Sequence, residues 1–241
     1  MDLEQYVKGR DTIAVRVGKR LRWPLNRFLA RQSLIGTQPF FDEAQVPGLS
    51  LLREDWQAIR EEALAVLADR ESIPPLGKVS PDHRRIAATS AWKSYFFTGY
   101  GYHAAANRAR CPKTAALVDR VPGLVVAFYS IFEPGTHVPP HRGVTKGLLN
   151  VHLGLIVPTE AEKCRIDVEG ETRGWTPGKY LIFDETFEHE VWNETAEPRV
   201  VLFLQVLRPM RWRGRLLAKF FLWCVKRTSF VQDVREALDA S

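Results

Sequence analysis

The stretch LVVAFYSIFEPGTHVPPHRGVTKGLLNVHLGLIV (124–157) decides the fold class, because it holds two long β-type segments separated by turn residues. β-Branched and aromatic side chains dominate both segments, as expected of strands in a half-buried sheet. Three further segments of the same kind follow, separated by turn residues: KCRIDV (163–168), KYLIFD (179–184) and RVVLFLQVL (199–207). Five strands at this spacing predict a mainly β domain with flanking helices, built as a double-sheet jelly roll or a related barrel.

Helices are predicted on both sides of the strands. Apolar residues at helical spacing predict a helix over residues 52–69, and CPKTAALVDR (111–120) predicts a shorter one. In the first thirty residues, Pro24 is expected to start or interrupt a helix. We therefore divide the chain into a basic N-terminal segment (1–45), a central domain (46–209) and a basic amphipathic C-terminal helix (210–241).

The cysteines and the apolar runs favour a cytoplasmic protein. Three cysteines, far apart and without a CxxC motif, indicate free thiols in a reducing compartment. The first residues are polar and contain no apolar stretch of the kind a secretory signal needs. The longest apolar run, FFLWCV (220–225), is too short to cross a bilayer.

The net charge of +6 conceals a marked segregation along the chain. Residues 8–31 carry eight Lys or Arg and one acid, and residues 208–227 carry seven Lys or Arg and no acid. The remaining residues therefore carry a net charge of −8. Such asymmetry predicts an anionic partner for the two basic ends.

Two histidines and one arginine are candidates for a functional site. His141 and His189 lie 48 residues apart, each at the expected end of a strand, where β-barrels place ligand sites. Two neutral imidazoles can bind Fe(II). Arg199 opens an apolar strand and can bind a carboxylate through paired hydrogen bonds. His83 and His103 have no supporting motif and are interpreted as ordinary structural residues.

From about Trp56 to Pro209 the chain resembles the aspartyl/asparaginyl β-hydroxylase family of Fe(II)/2-oxoglutarate dioxygenases. Six segments keep the family's order and spacing: AWKSYFF (91–97), CPKTAALVDRVPGL (111–124), SIFEPGTHVPPHRG (130–143), VHLGLIVP (151–158), GWTPGKYLIFDETFEHEVWN (174–193) and PRVVLFLQVLRP (198–209). The resemblance implies a double-stranded β-helix, cupin-like core. It also implies an enzyme that hydroxylates an unactivated C–H bond with Fe(II), 2-oxoglutarate and O2.

The same resemblance implies a role for each site residue. His141 and His189 resemble the two iron ligands and are the expected catalytic residues. Ser130 and Arg199 resemble the pair that binds the distal carboxylate of 2-oxoglutarate. His152 resembles the residue beside the metal-bound end of that cosubstrate.

Two positions in the site need comment. Many non-haem iron oxygenases add a carboxylate to their two histidines, but in an HxD motif the acid would fall at Gly143. The family is known for lacking that carboxylate, so water is expected in its place. Family members often carry arginine two residues before the histidine of HLGL, where this chain has Asn150. Lys146 is a candidate substitute for that arginine.

Two substrate classes remain open. The first is the acyl chain of a membrane lipid, as in the lipid A hydroxylases of the family, which FDET (183–186) and RPMRWRGR (208–215) resemble. The second is an aspartyl or asparaginyl residue of a peptide, or a free amino acid, which FEHEVWN (187–193) resembles. The basic ends favour lipid, because Lys and Arg bind anionic membrane surfaces. They also favour a peripheral position at the inner face of the cytoplasmic membrane.

Two other classes of function fit the sequence less well. A non-catalytic binding module on the same barrel would be indicated by loss of His141, His189 or Arg199, and all three are present. Nucleic acid is not an expected partner, because the aromatic residues of the basic ends lie among large aliphatic residues rather than in a stacking pattern.

Overall fold

The computed structural model describes residues 13–79, 86–87, 90–228 and 231. His83 and most of the chain after Thr228 lie outside these residues. Seven helices are described: α1 (Ile13–Gln32), α2 (Ser50–Glu54), α3 (Trp56–Leu67), α4 (Leu76–Val79), α5 (Ala105–Arg110), α6 (Pro112–Val118) and α7 (Trp212–Val225).

Eleven strands form two antiparallel sheets within the described residues. Their bounds are β1 (Phe40–Phe41), β2 (Trp92–Gly99), β3 (Tyr102–His103), β4 (Leu124–Phe132), β5 (Thr136–His141), β6 (Leu148–Ile156), β7 (Cys164–Val168), β8 (Glu171–Gly174), β9 (Tyr180–Phe183), β10 (His189–Asn193) and β11 (Arg199–Leu207). The major sheet has the order β1-β9-β6-β11-β4-β2-β3, and the minor sheet has the order β5-β10-β7-β8. The prediction of a mainly β, two-sheet jelly roll with flanking helices is confirmed.

Two hydrophobic layers hold the major sheet from its two sides. On one side, the interior between the sheets is filled by apolar residues of both, among them Val138 and Val191 from the minor sheet and Phe132 and Val201 from the major sheet. On the other side, α2, α3 and α6 cover the strand side chains that point away from the interior between the sheets, such as Leu202. The period-2 alternation of strand side chains produces this division.

A β-bulge determines where the end of β5 points. His189 pairs with His141 and Val191 pairs with Val138, so three steps along β5 match two steps along β10. The extra residue falls at Pro139-Pro140, on an edge strand, where proline removes no ladder hydrogen bond from a neighbour. Because of the bulge, His141 and Val138 project from the same face of the sheet.

Helices α1 and α7 pack against one another beside the β-sandwich. Leu29 of α1, Ala218 of α7 and Met210 form a small buried cluster. Pro24 lies inside α1, so the expectation that it would start or interrupt a helix is wrong. Two buried residues that follow it, Asn26 and Leu29, anchor the helix on its neighbours and hold it continuous.

Other sequence expectations need smaller corrections. The helix predicted over 52–69 is two helices, α2 and α3, with a break at Asp55. His141 does not end the strand 124–132, and His189 does not follow directly from 179–184; each lies on a strand of its own, β5 and β10. No helix in the described ranges combines the length and apolar character needed to cross a membrane.

Candidate active site

His141 and His189 lie side by side at the edge of the minor sheet. They are direct partners in the β5–β10 register, and their ring centroids are 4.0 Å apart. The bulge at Pro139-Pro140 is what turns His141 toward the face from which His189 projects. The structure therefore brings together the two histidines that the sequence singled out.

Backbone carbonyls orient both imidazoles in the same way. His141 Nδ1 lies 2.9 Å from the carbonyl oxygen of Pro139, and His189 Nδ1 lies 3.0 Å from that of Phe187. A carbonyl oxygen accepts only, so each Nδ1 carries the proton and each Nε2 carries the lone pair. Such backbone bonds to Nδ1 are the usual means of orienting metal-ligating histidines.

His189 is held in its neutral form. Burial and the adjacent His141 lower the pKa of His189 to about 4. A metal competes with a proton for an imidazole nitrogen, so a low pKa favours metal binding at neutral pH. His189 lines a surface cleft together with Pro140 and Arg142. Acidic residues, among them Glu169 and Glu188, line the rest of this cleft.

Arg199 lies between the sheets with no acidic partner among the described residues. It is 1% exposed, and its Nε and Nη1 have no hydrogen-bond partner in the part of the chain that the structure describes. Aromatic rings enclose its guanidinium carbon, at 3.8 Å from the centroid of Phe132 and 4.5 Å from that of Trp175. Burial lowers the pKa of Arg199 to about 10, and the Cys164 thiol acts in the opposite direction.

A buried, unpaired guanidinium is costly unless an anion binds it. Two adjacent guanidinium N–H groups suit the two oxygens of a carboxylate. Arg199 is therefore the strongest indication of a ligand in the part of the chain that the structure describes.

Ser130 projects from the same face of the major sheet as Arg199. In the β4–β11 register Ser130 pairs with Val201 and Phe132 pairs with Arg199, so Ser130 and Arg199 are diagonal neighbours. The Ser130 hydroxyl oxygen accepts a hydrogen bond from Trp92 Nε1 at 3.1 Å. The hydroxyl hydrogen of Ser130 therefore does not point at Trp92. The hydroxyl can donate this hydrogen to an anion at Arg199.

His152 links the arginine region to the histidine pair. Trp175 Nε1 donates to His152 Nδ1 at 3.2 Å, so the proton of the neutral ring lies on Nε2. That Nε2 is buried and has no partner among the described residues. Burial and the charge of Arg199 lower the pKa of His152 well below its usual value. The ring of Phe183 lies between His152, at 5.3 Å, and His189, at 5.2 Å.

A side chain at position 143, where an HxD motif would place its acid, is blocked by a neighbouring carboxyl. A Cβ atom at Gly143 would lie 2.3 Å from Cδ of Glu185. Burial and the nearby Asp184 raise the pKa of Glu185 to about 7. Gln205 Nε2 donates to Glu185 at 3.1 Å and to Asn150 Oδ1 at 3.3 Å. Sequence reasoning noted Glu185 only as part of FDET (183–186) and assigned it no role, although two adjacent acids after an apolar strand are an unusual pattern.

Lys146 was the candidate substitute for the family's arginine two residues before the histidine of HLGL, but its side chain makes a different contact. Its Nζ donates to Asp184 Oδ2 at 2.8 Å, and Arg208 binds the same oxygen. Burial acts to raise the pKa of Asp184, but Arg208 and Lys146 together lower it. Lys146 is therefore committed to a buried ion network.

The donor set fits a metal with few protein ligands. No group of three or more His, Cys, Asp or Glu side chains in the described ranges is arranged to bind a metal. The two imidazoles alone leave most coordination positions for water and a small ligand. The orphaned polar atoms of Arg199 and His152 suit the carboxylates of such a ligand.

The two facing sheets and the histidine pair at their edge define a jelly-roll protein of the double-stranded β-helix class. The chain belongs to the aspartyl/asparaginyl β-hydroxylase family, whose sequence profile matches residues 53–209. The family is one of hydroxylases, which makes the chain an enzyme by descent.

Two relatives represent the two substrate classes. The ornithine lipid ester-linked acyl 2-hydroxylase of Rhizobium tropici is 39% identical over 206 residues, which are 85% of this chain and 72% of that protein. The human aspartyl/asparaginyl β-hydroxylase is 35% identical over 166 residues, which are 66% of this chain. The match spans only 21% of the human protein's length.

Among solved structures, KdgF from Halomonas sp. is similar with a TM-score of 0.32 and 16% sequence identity. The match covers 50% of this chain and 82% of that one.

Proposed function

We propose that the protein is an Fe(II)/2-oxoglutarate-dependent dioxygenase that hydroxylates an unactivated C–H bond. The observation that carries the proposal is the buried guanidinium of Arg199, which has no acidic partner and two nitrogens without a hydrogen-bond partner among the described residues. Trp175, His152 and Phe183 join it to the histidine pair. A dicarboxylate fits this arrangement, with one end at the arginine and the other near the histidines.

In this proposal Arg199 and Ser130 bind the distal carboxylate of 2-oxoglutarate. The Nε2–H of His152 donates to an oxygen at the other end, and Nε2 of His141 and of His189 bind iron. Bound iron supplies the activation of O2 that no side chain can perform. The chain's own contribution is to orient the cosubstrate and both imidazoles and to keep His189 neutral.

The surroundings of Arg199 also exclude water from the cosubstrate. Phe132, Trp175 and Phe183 are all buried between the sheets and line the path from Arg199 to His189. Within such an apolar enclosure a charge-assisted hydrogen bond is stronger than in water. The cosubstrate is thus shielded from solvent at the Arg199 end and between the sheets.

For the substrate we favour the acyl chain of a membrane lipid. The relative from Rhizobium tropici, by its name, hydroxylates an acyl chain of ornithine lipid, and its similarity extends over 85% of this chain. The alternative is β-hydroxylation of aspartyl or asparaginyl residues or of a free amino acid, which the name of the human relative supports. We place the protein in the cytoplasm, with a peripheral position on the membrane.

The test is aerobic incubation of the protein with Fe(II) and 2-oxoglutarate, in separate reactions with a total lipid extract and with a panel of Asp- and Asn-containing peptides and free amino acids. Mass spectrometry would detect the gain of one oxygen atom, and succinate would be measured in parallel. We expect oxygen gain in the lipid fraction with an equal amount of succinate.

Two variants make the result specific to the site. His189→Ala should abolish both products, whereas His137→Ala should not, because the exposed His137 ring binds Glu190 on the outer face of the minor sheet. Oxygen gain confined to peptides or amino acids would refute the lipid assignment. Absence of oxygen gain and of succinate in every reaction would refute the dioxygenase.

A further inference from the structure

Helix α7 carries a stripe of large apolar side chains on its outward face. Trp212, Leu216, Phe220 and Trp223 are spaced by four, four and three residues, which places them on one side of an α-helix. Their exposed fractions are 63%, 59%, 60% and 53%. We call these four residues the α7 stripe. Soluble proteins seldom leave such a contiguous apolar surface in water unless a partner covers it.

The opposite face of α7 is already packed, so the stripe is not a misplaced core face. Gly214 lies so close to α1 that a Cβ there would be 2.5 Å from Cβ of Gln32. Ala218 is buried with Leu29 and Met210. Gly214 and Ala218 therefore face the protein, Leu217 and Leu222 are partly buried against it, and the four residues of the stripe face outward.

Basic side chains flank the stripe on both sides. Arg213, Arg215 and Lys219 are exposed, and residues 208–227 include no acid. The guanidinium of Arg227 lies 3.6 Å from the ring centroid of Trp223. Exposed aromatic residues beside Lys and Arg are the composition of helices that lie in the headgroup region of a bilayer.

We infer that the α7 stripe docks on an anionic lipid bilayer, with the helix parallel to the membrane plane. The charge of the flanking residues selects an anionic surface, and the depth of the four apolar side chains suits the boundary between headgroups and acyl chains. This docking rests on the proposed lipid substrate, because the bilayer under α7 would be the surface from which that substrate comes.

Contacts of the same helix pair connect the inner face of α7 to the loop that leaves His141. The loop that leaves His141 is bound by α1, because Asn26 Nδ2 donates to the Val144 carbonyl at 3.1 Å and Asn26 Oδ1 accepts from Lys146 N at 2.9 Å. Gly147 in the same loop lies against Ala218 of α7. The helix that carries the stripe thus packs, through its inner face, against the chain segment that carries His141.

The test is co-sedimentation of the full chain with vesicles, without iron or 2-oxoglutarate. Pure phosphatidylcholine vesicles would be compared with mixed phosphatidylcholine–phosphatidylglycerol vesicles. We expect binding to the mixed vesicles, weakened by added salt. Phe220→Ser combined with Trp223→Ser should lower the partition coefficient by more than about tenfold, since each aromatic loses its apolar burial. Lys219→Glu should lower it by at least about fivefold.

Matched controls distinguish docking from a general loss of apolar or basic surface. Leu64→Ser and Arg60→Glu alter exposed residues of α3 and should leave sedimentation unchanged. If the double variant does not fold, the Lys219→Glu and salt results decide the question, because that side chain is exposed and its loss costs the fold little.

Several results would overturn the inference. They are equal sedimentation with neutral and anionic vesicles, sedimentation of the stripe variants like wild type, or a dimer in ultracentrifugation that the stripe variants abolish. The last result would assign the stripe to a second copy of the chain. Failure here would leave the dioxygenase proposal standing, because the assay uses neither iron nor cosubstrate.

Discussion

Replacement of Arg199 by methionine should separate the stability of the ligand-free protein from its response to 2-oxoglutarate. Arg199 is 1% exposed, and two of its nitrogens have no hydrogen-bond partner among the described residues. A methionine of similar length would remove a desolvated charge and retain the contacts with the flanking rings. The free energy of unfolding of the ligand-free protein should therefore be unchanged or raised, by up to about 3 kcal/mol.

The ligand response should change in the opposite sense. A saturating ligand at about one hundred times its Kd stabilises the folded state by about 2.7 kcal/mol. Loss of paired, charge-assisted hydrogen bonds worth about 3 kcal/mol in total would weaken 2-oxoglutarate binding by about 150-fold. At the same concentration, 2-oxoglutarate should then stabilise the variant by only a few tenths of a kcal/mol or less. Urea unfolding with and without 2-oxoglutarate measures both quantities.

Arg208→Met is the matched control, since Arg208 is also buried but binds the Asp184 carboxylate. Its loss leaves Asp184 with Lys146 as its remaining cationic partner among the described residues, and it should destabilise the protein by about 2 to 4 kcal/mol. The 2-oxoglutarate response should persist if that variant folds. The reasoning is refuted if Arg199→Met destabilises the protein as much as Arg208→Met, or if it retains the full response to 2-oxoglutarate.

Three further predictions concern single side chains of the site. Ser130→Ala should raise the KM for 2-oxoglutarate by about fivefold through loss of one hydrogen bond; steady-state kinetics tests this, and an unchanged KM would exclude Ser130 from the carboxylate site. His141→Ala should abolish Mn(II) binding measured by calorimetry, and binding that survives would contradict the ligand assignment; the exposed His137→Ala serves as the unaffected control. Burial raises the pKa of Glu185 from 4.5 to about 7, so the metal-free protein should lose stability as the pH rises through that range. Glu185→Gln should remove about 2 kcal/mol of that loss. The free energy of unfolding, measured with urea at about pH 5 and about pH 8, should therefore change less in the variant than in the wild-type protein; an equal change in both proteins would exclude the raised pKa.

The long strands were predictable because their signal is local. The five predicted segments match β4, β6, β7, β9 and β11, and each end agrees to within one residue. In these strands apolar residues, many of them β-branched or aromatic, fill most positions, since one or both faces are buried.

The remaining strands are stabilised by their neighbours rather than by their own composition. THVPPH of β5 contains two prolines and shows no alternation, and it is a strand because β10 pairs with it at the sheet edge. Tertiary packing likewise keeps α1 continuous through Pro24. Patterns within a single sequence do not contain this information.

The sequence singles out residues that the structure brings together, but it does not predict their geometry. Regular strand alternation in β5 would have placed His141 and Val138 on opposite faces of the sheet. The bulge places them on the same face. Nor does the sequence reveal that Arg199 lacks an acidic partner within the described residues, since the acids nearest in sequence could have supplied one. That observation depends on the fold, and it is the one that indicates an anionic ligand.

Calorimetric titration of 2-oxoglutarate, with and without Mn(II) and without oxygen, tests most directly whether the histidine pair and Arg199 belong to one site. We predict that Mn(II) tightens 2-oxoglutarate binding in the wild-type protein. We also predict that His189→Ala loses this enhancement while keeping the weaker metal-independent binding, and that Arg199→Met weakens binding both with and without Mn(II). Affinity for 2-oxoglutarate that is the same with and without metal in the wild-type protein would contradict these predictions.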